Sequence, residues 1–255
     1  MMSKYIVKRD KDGIVWFTIN RPEKWNAIDY DIMDGIEKTL NEVEENDDDK
    51  VLVITGTGSK AFCSGGDLSV FQNLQTEEEA YKMLMKMGMI LHTLATLSKP
   101  TIALLNGLAI GGGCELATAC DYRLASDESR FGFVQGKQGI TTGWGGATML
   151  LERMMIDKAY HLLLTGEIIS AKEGKALGFI QQVFPEDNSI KSCKDFIAKE
   201  IVHSNKVVKA YKKVVNRKWA ATGLRERMIE EIKECSALWV SNEHLVAVRK
   251  IMQKE

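Results

Sequence analysis

The sequence predicts an α/β fold, a spiral of repeated strand–glycine-turn–helix units over residues 1–188 followed by a helical region over 189–255. Three observations predict it. Val51-Leu-Val-Ile-Thr55 and Thr101-Ile-Ala-Leu-Leu105 are short, unbroken apolar runs, as strands buried on both faces require. Each leads into glycines and then helical sequence, so 51–75 and 101–120 read as two turns of one loose repeat. From about residue 189 strand signals vanish, and charged, helical sequence continues to Glu255.

The elements follow in order. Ile14-Val-Trp-Phe-Thr-Ile19 reads as a strand. Residues 29–46 read as a helix with Ile32, Ile36, Leu40 and Val43 on one face. The acidic run Glu44–Asp49 ends it as a solvated turn. Thr76-Glu-Glu-Glu79 is a capping-box pattern that opens a long helix to about Leu97, where Lys99-Pro100 stops it. That helix carries Met83, Met85, Met87 and Met89, which suit either a pliable pocket wall or ordinary core plus surface. Tyr122–Ala125 is another short strand. Helices fit 146–164, 170–177 and 189–203, with Ser170-Ala-Lys-Glu173 as a second capping box and Gly178 at a C-terminal cap position.

Composition narrows the function classes. The 255 residues are 45% apolar, enough for one domain with a full core plus a smaller appendage. The net charge of −1 provides no global field for nucleic acid or an anionic membrane. No run approaches the roughly 20 apolar residues that span a bilayer, and the first ten residues lack a signal-type apolar region, so a cytoplasmic location is expected. Five cysteines with no Cys-x-x-Cys spacing read as reduced, buried thiols. Four histidines without ligand spacing leave no metal site to expect. Lys206, Lys209, Lys212, Lys213, Arg217 and Lys218 form a basic cluster on a C-terminal helix, read as a solvated face or one near ligand phosphates rather than an RNA surface.

The most informative stretch is Asn106-Gly-Leu-Ala-Ile-Gly-Gly-Gly-Cys-Glu-Leu-Ala-Thr-Ala-Cys-Asp121. Gly111–Gly113 open an apolar helix beginning near Cys114. Backbone N–H groups there are unshielded by side chains and carry the positive end of the helix dipole. Glu115 lies in the first turn. Donors aimed at a developing oxyanion beside a carboxylate suit carbonyl chemistry.

This stretch resembles the enoyl-CoA hydratase/isomerase family, the crotonase superfamily. Asn20-Arg-Pro-Glu-Lys-Trp-Asn-Ala-Ile28, Ala61-Phe-Cys-Ser-Gly-Gly-Asp-Leu68 and Leu164–Phe179 resemble further family blocks, in family order. The resemblance implies the crotonase-like (ClpP/crotonase) spiral of ββα repeats and an acyl-CoA thioester substrate that itself carries the coenzyme A, with no separate cofactor. It implies an oxyanion hole from the Gly66 and Gly112 N–H groups, and Glu115 as a catalytic carboxylate. For coenzyme A it implies Lys24, Asn26 and Ala27 at the adenine end, with Ser64, Gly65, Asp67, Leu68 and Gly111 along the pantetheine arm. It further implies a homotrimer or dimer of trimers built by the C-terminal region, with neither nucleic acid nor membrane as a partner.

One position departs from the family pattern. Anchored on Phe131, Gly139 and Gly145-Gly146, the second hydratase glutamate falls on Gln135. A glutamine hydrogen-bonds but does not titrate, so it cannot serve as a general acid or base. Phe133-Val134, Gly139-Ile140 and Trp144-Gly-Gly146 are similar to the ethylmalonyl-CoA decarboxylase branch, in which loss of CO₂ makes the enolate without a base. Three readings therefore stand at this point: a family hydratase or isomerase, a malonyl-type decarboxylase, and a catalytically silent CoA- or RNA-binding homologue.

Overall fold

The computed structural model describes residues 3–252. The elements are β1 (Tyr5–Arg9), β2 (Ile14–Ile19), α1 (Tyr30–Glu45), β3 (Val51–Gly56), β4 (Ala61–Cys63), α2 (Leu68–Phe71), α3 (Glu77–Thr96), β5 (Thr101–Leu105), β6 (Leu108–Ile110), α4 (Gly112–Ala119), β7 (Tyr122–Ser126) and β8 (Arg130–Gly132). There follow α5 (Gly146–Arg153), α6 (Ile156–Thr165), β9 (Ile169–Ser170), α7 (Ala171–Leu177), β10 (Gln182–Phe184), α8 (Ser189–Glu200), α9 (Asn205–Ala221), α10 (Leu224–Trp239) and α11 (Asn242–Met252).

The repeat seen in the sequence is a two-sheet spiral. One sheet runs β1-β2-β3-β5-β7-β10 and the other β4-β6-β8-β9. Successive turns (β3 and β4, β5 and β6, β7 and β8) each give one strand to each sheet, and β3, β5 and β7 pair in parallel. Every residue of β3 and β5 is buried, as their continuous apolar composition requires. The N-termini of α3 and α7 carry the two expected capping boxes, Thr76 with Glu79 and Ser170 with Glu173. Gly178 closes α7 in the left-handed region. All five cysteines are free and buried.

Four expectations need correction. The helix expected over 146–164 is two helices, because Met154 and Met155 are extended. Arg153 ends the first by donating to the Ala119 carbonyl and stacking over Trp219, while the second turns an apolar stripe, Ile156, Tyr160 and Leu164, outward. The helix expected to reach 203 stops at Glu200. The basic cluster is also not one solvated face. Lys212 is buried against Asp121 at 2.7 Å, Lys209 pairs with Asp47, and Lys218 pairs with Glu152. These contacts clamp α9 to the spiral. The buried, Arg9-paired Asp49 also takes one residue of the acidic run out of its solvated role, while Asp47 stays exposed beside Lys209.

Of the four methionines on α3, Met83 and Met87 are buried while Met85 and Met89 pack partly buried against the same core. The helical C-terminal region lies directly on the spiral. α10 packs along α3, where the Ile232 side chain fits against Gly88.

Candidate active site

Two glycine loops meet at the N-terminus of α4. The first leaves β4 through Ser64-Gly65-Gly66-Asp67. Asp67 caps α2 by accepting from the Ser69 N–H, and it pairs with Arg21 at 2.7 Å. Burial opposes its ionisation, but the Ser69 hydroxyl and the Arg21 guanidinium together hold its carboxyl below the usual range. Arg21 also donates to the Ala27 carbonyl at 2.8 Å, so the Arg-Pro segment and the glycine loop are tied as one piece.

That tie sets the direction of a donor. The Ile28 N–H donates to the Gly65 carbonyl, and the Asp67 N–H to the Ile28 carbonyl. This is a parallel bridge between Ile28 and Gly66, which turns the Gly66 N–H to the opposite side. Gly112 is the first residue of α4, where an N–H has no intrahelical acceptor. Among the described residues neither N–H meets a protein acceptor. Both glycines are half-exposed, whereas Gly65, Gly111 and Gly113 around them are buried.

The loops approach closely because side chains are absent. A Cβ on Gly113 would lie 2.0 Å from the Cys63 carbonyl oxygen, and one on Gly65 would lie 3.0 Å from the Gly112 nitrogen. Trp144 closes the third side. Its ring carbons fall 2.2–2.9 Å from the place of a Gly112 Cβ and 3.7 Å from that of a Gly66 Cβ. The indole therefore lies against both glycines that carry the free donors.

Glu115 is 2% exposed and accepts four hydrogen bonds. Oε2 accepts from the N–H groups of Trp144 at 2.8 Å and Gly146 at 2.9 Å. Oε1 accepts from Gly143 at 3.3 Å and from Gln135 Nε2 at 3.0 Å. The carboxyl thus caps the start of α5 and fixes the backbone that carries Trp144. Burial, then the nearby Glu231 charge, push it up to about 8 despite those donors.

Glu231 escapes sequence reasoning. It projects from α10, is itself raised by burial, and accepts from the Thr142 hydroxyl and from the Ala147 and Thr148 N–H groups. The buried Glu115 and the partly buried Glu231 therefore hold the segment 142–148 from either side. A signal for Glu231 did exist: it falls within the apolar stripe Met228, Ile232, Cys235 of its helix, where a carboxylate needs partners.

Gln135 sits in a 3-10 turn, Val134–Gln138, beside Gly111. Its Nε2 meets Glu115, and its buried Oε1 has no partner. Gly66, Gly112, Glu115 and Gln135 are thus gathered around Trp144 and Gly111. The positions expected to touch coenzyme A behave differently. Asn26 is fully buried, with its side chain bound to the Arg21 N–H and to the Thr57 and Ala61 carbonyls. Asp67 is likewise committed to Arg21 and Ser69. Lys24 is exposed, Ala27 is buried, and the Ser64 N–H bonds the Trp25 carbonyl. A cleft of about 400 Å³ opens beside Pro22, Asn26 and Thr57–Ala61, and another of about 650 Å³ lies between Leu68, Gln72 and Leu74 and the C-terminal residues Trp239, His244 and Val248.

Comparison with known proteins gives the chain's family and fold. A family model described as enoyl-CoA hydratase/isomerase matches residues 9–239. The short-chain-enoyl-CoA hydratase of Clostridium acetobutylicum is 32% identical over 209 residues, covering 82% of this chain and 80% of that protein. The ethylmalonyl-CoA decarboxylase of Xenopus laevis is 32% identical over 211 residues, covering 82% and 70%. Among solved structures, carnitinyl-CoA hydratase from Mycobacterium avium superposes with a TM-score of 0.86 at 27% identity, over 100% of this chain and 97% of that one. With the two-sheet spiral and the paired glycine loops in the same chain, these matches make it an enzyme of the enoyl-CoA hydratase/isomerase family, with the crotonase fold.

Proposed function

We propose that the chain is a lyase that forms an acyl-CoA thioester enolate against the Gly66 and Gly112 N–H groups, and that it does so by decarboxylating a malonyl-type thioester. The observation that carries this reading is the pairing of two free donors with a carboxylate that has no free oxygen. Enolate formation moves negative charge onto the thioester oxygen, and two preorganised donors stabilise that charge more than the neutral ground state. Hydration needs a base with a lone pair available to water. Glu115 has both oxygens occupied by four donors, and Gln135 does not titrate.

Decarboxylation needs no base. The bond between the α-carbon and the carboxylate breaks, CO₂ leaves, and the electron pair passes into the enolate. The α-carbon then takes a proton from a solvent water, which is left as hydroxide. Trp144 covers one side of the two glycines while this happens. The Xenopus laevis relative's name supports the same direction. The buried carboxylate at position 115 and the hydratases among the relatives favour hydration as the second reading.

Coenzyme A belongs to the substrate, and no further cofactor enters the scheme. Lys24, Ala27, Ser64, Gly65, Leu68 and Gly111 line its path by their backbone or, for Lys24, by a free ammonium. Asn26 and Asp67 shape that path from behind. The exposed stripe Ile156, Tyr160 and Leu164 on α6 suits burial between copies of the chain in a homotrimer or a dimer of trimers. No described helix is long and apolar enough to cross a membrane. A cytoplasmic enzyme with no nucleic-acid partner completes the reading.

Side-by-side turnover tests it. Methylmalonyl-CoA and ethylmalonyl-CoA should release CO₂, and crotonyl-CoA should remain unhydrated. Hydration of crotonyl-CoA without any decarboxylation would overturn the assignment in favour of the second reading. Binding of CoA esters without turnover of any would favour a silent homologue.

A further inference from the structure

The Gln135 amide presents an unexplained end to the site. The residue is 7% exposed, its Nε2 donates to Glu115, and its Oε1 has no partner. A buried acceptor without a donor is unfavourable, and a ligand group or a turn of the amide can relieve it. In this orientation the unpaired end of the amide, which lies beside Gly111, is an acceptor, and an acceptor repels a carboxylate. Rotation of the amide by half a turn would show Nε2–H instead. Oε1 would then face the Glu115 carboxyl, and two acceptors cannot face each other without a proton between them.

We propose that Gln135 and Glu115 form a turning amide–carboxyl pair that admits a second anionic group of the substrate: the amide rotates to donate Nε2–H to that anion, while Glu115 takes one proton from solvent and donates it to Gln135 Oε1. The step is balanced, since the anion arrives with one negative charge and Glu115 loses one. The hydrogen bonds say where the proton goes. Oε2 keeps two short backbone donors, whereas Oε1 keeps only the 3.3 Å contact from Gly143, so the proton sits on Oε1.

The surroundings favour uptake. Glu231 and Cys235 on α10 and Cys114 on α4 are the titratable groups that act on Glu115, and none of them is a cation. Segment 143–146 contributes backbone donors but no titratable side chain. Burial already lifts Glu115 to about 8, which places the exchange in a range that solution work can reach. The pair thereby removes the conflict between a substrate carboxylate and an ionised Glu115.

This inference rests on the reading of the Gly66/Gly112 site as a thioester site, and one titration separates the two. The probes are butyryl-CoA and 2-sulfobutyryl-CoA, whose sulfonate stays ionised at every pH used and cannot leave. Both carry the same CoA phosphates, so their difference isolates the second anion. Binding is measured calorimetrically at pH 7, 8 and 9 in two buffers of different ionisation heat. Native protein should take up close to one extra proton with the sulfonate ester at pH 9, and its affinity for that ester should fall about tenfold per pH unit above the Glu115 range. Butyryl-CoA should show neither effect. Gln135→Met should erase the difference between the esters. Sulfonate binding at pH 9 without proton uptake, or a Gln135→Met protein with the native pH dependence, would overturn the pair. Failure of both esters to bind would overturn the thioester site and the pair with it. The native titration decides the matter even if the variant does not fold.

Discussion

The two glycine loops and the carboxylates of Glu115 and Glu231 adjoin each other, yet they treat polar groups in opposite ways. At Gly66 and Gly112 the chain leaves backbone donors without acceptors and half open. At Glu115 and Glu231 it surrounds carboxylate oxygens with backbone and side-chain donors. Unspent donors beside spent acceptors suit a reaction that needs an oxyanion stabilised and no proton removed. The carboxylates still matter, because they hold Trp144 where it closes the donor pair.

Variants in each region can break this comparison. The largest effect is expected at Gly112→Ala, where the new Cβ meets the Trp144 ring and displaces one donor. Turnover should fall about 10²–10³-fold, with coenzyme A ester binding much less affected. A proportionate loss of binding would mean that the Gly112 N–H is not specific to the enolate.

Glu231→Ala should come next. It leaves the Ala147 and Thr148 N–H groups without their acceptor and should destabilise the fold by about 2 kcal/mol in chemical denaturation. If stability is unchanged, the segment 142–148 is held by Glu115 alone. Trp144→Phe sharpens the comparison from the other side. A smaller ring against the two glycines should shift kcat/KM about tenfold towards thioesters with a longer α-substituent. An unchanged preference would place the acyl group elsewhere.

The smallest effect is a pH dependence of stability. Glu115 and Glu231 both have folded pKa values above their unfolded ones, so the folded state holds protons that the unfolded chain has released. Stability should therefore fall as pH rises towards about 8. His92 and His244 have the opposite sign, but most of their contribution is made below pH 7. Between pH 7 and 8 the decline from Glu115 should amount to at most about 1 kcal/mol, and Glu231→Gln, which removes a charge that raises Glu115, should make it shallower. A rise in native stability over that window would contradict the placement of these carboxyls.

The sequence exposes the spiral because its central strands are read by composition alone. Val51–Thr55 and Thr101–Leu105 are apolar throughout and buried throughout. The capping boxes at Thr76 and Ser170 are local chemistry and equally legible. The second sheet is not, since β4, β6 and β8 are three residues each, too short to show a period. The break at Met154 was hidden because both flanking helices are apolar and neither Pro nor Gly marks the gap. The lysines of α9 looked solvated because their partners, Asp47, Asp121 and Glu152, are distant in sequence. At the site, the glycine loops and Gln135 were visible as motifs. The saturation of Glu115 was not, because its donors are backbone groups about 30 residues away.

The most direct test of the central claim, donors without a free base, is the reaction balance of native protein against Gln135→Glu. Both are assayed for CO₂ release from ethylmalonyl-CoA and for hydration of crotonyl-CoA. Native protein should decarboxylate with little or no hydration, and Gln135→Glu should gain hydration while losing decarboxylation. Rapid hydration by the native protein, reduced in Gln135→Glu, would contradict the account.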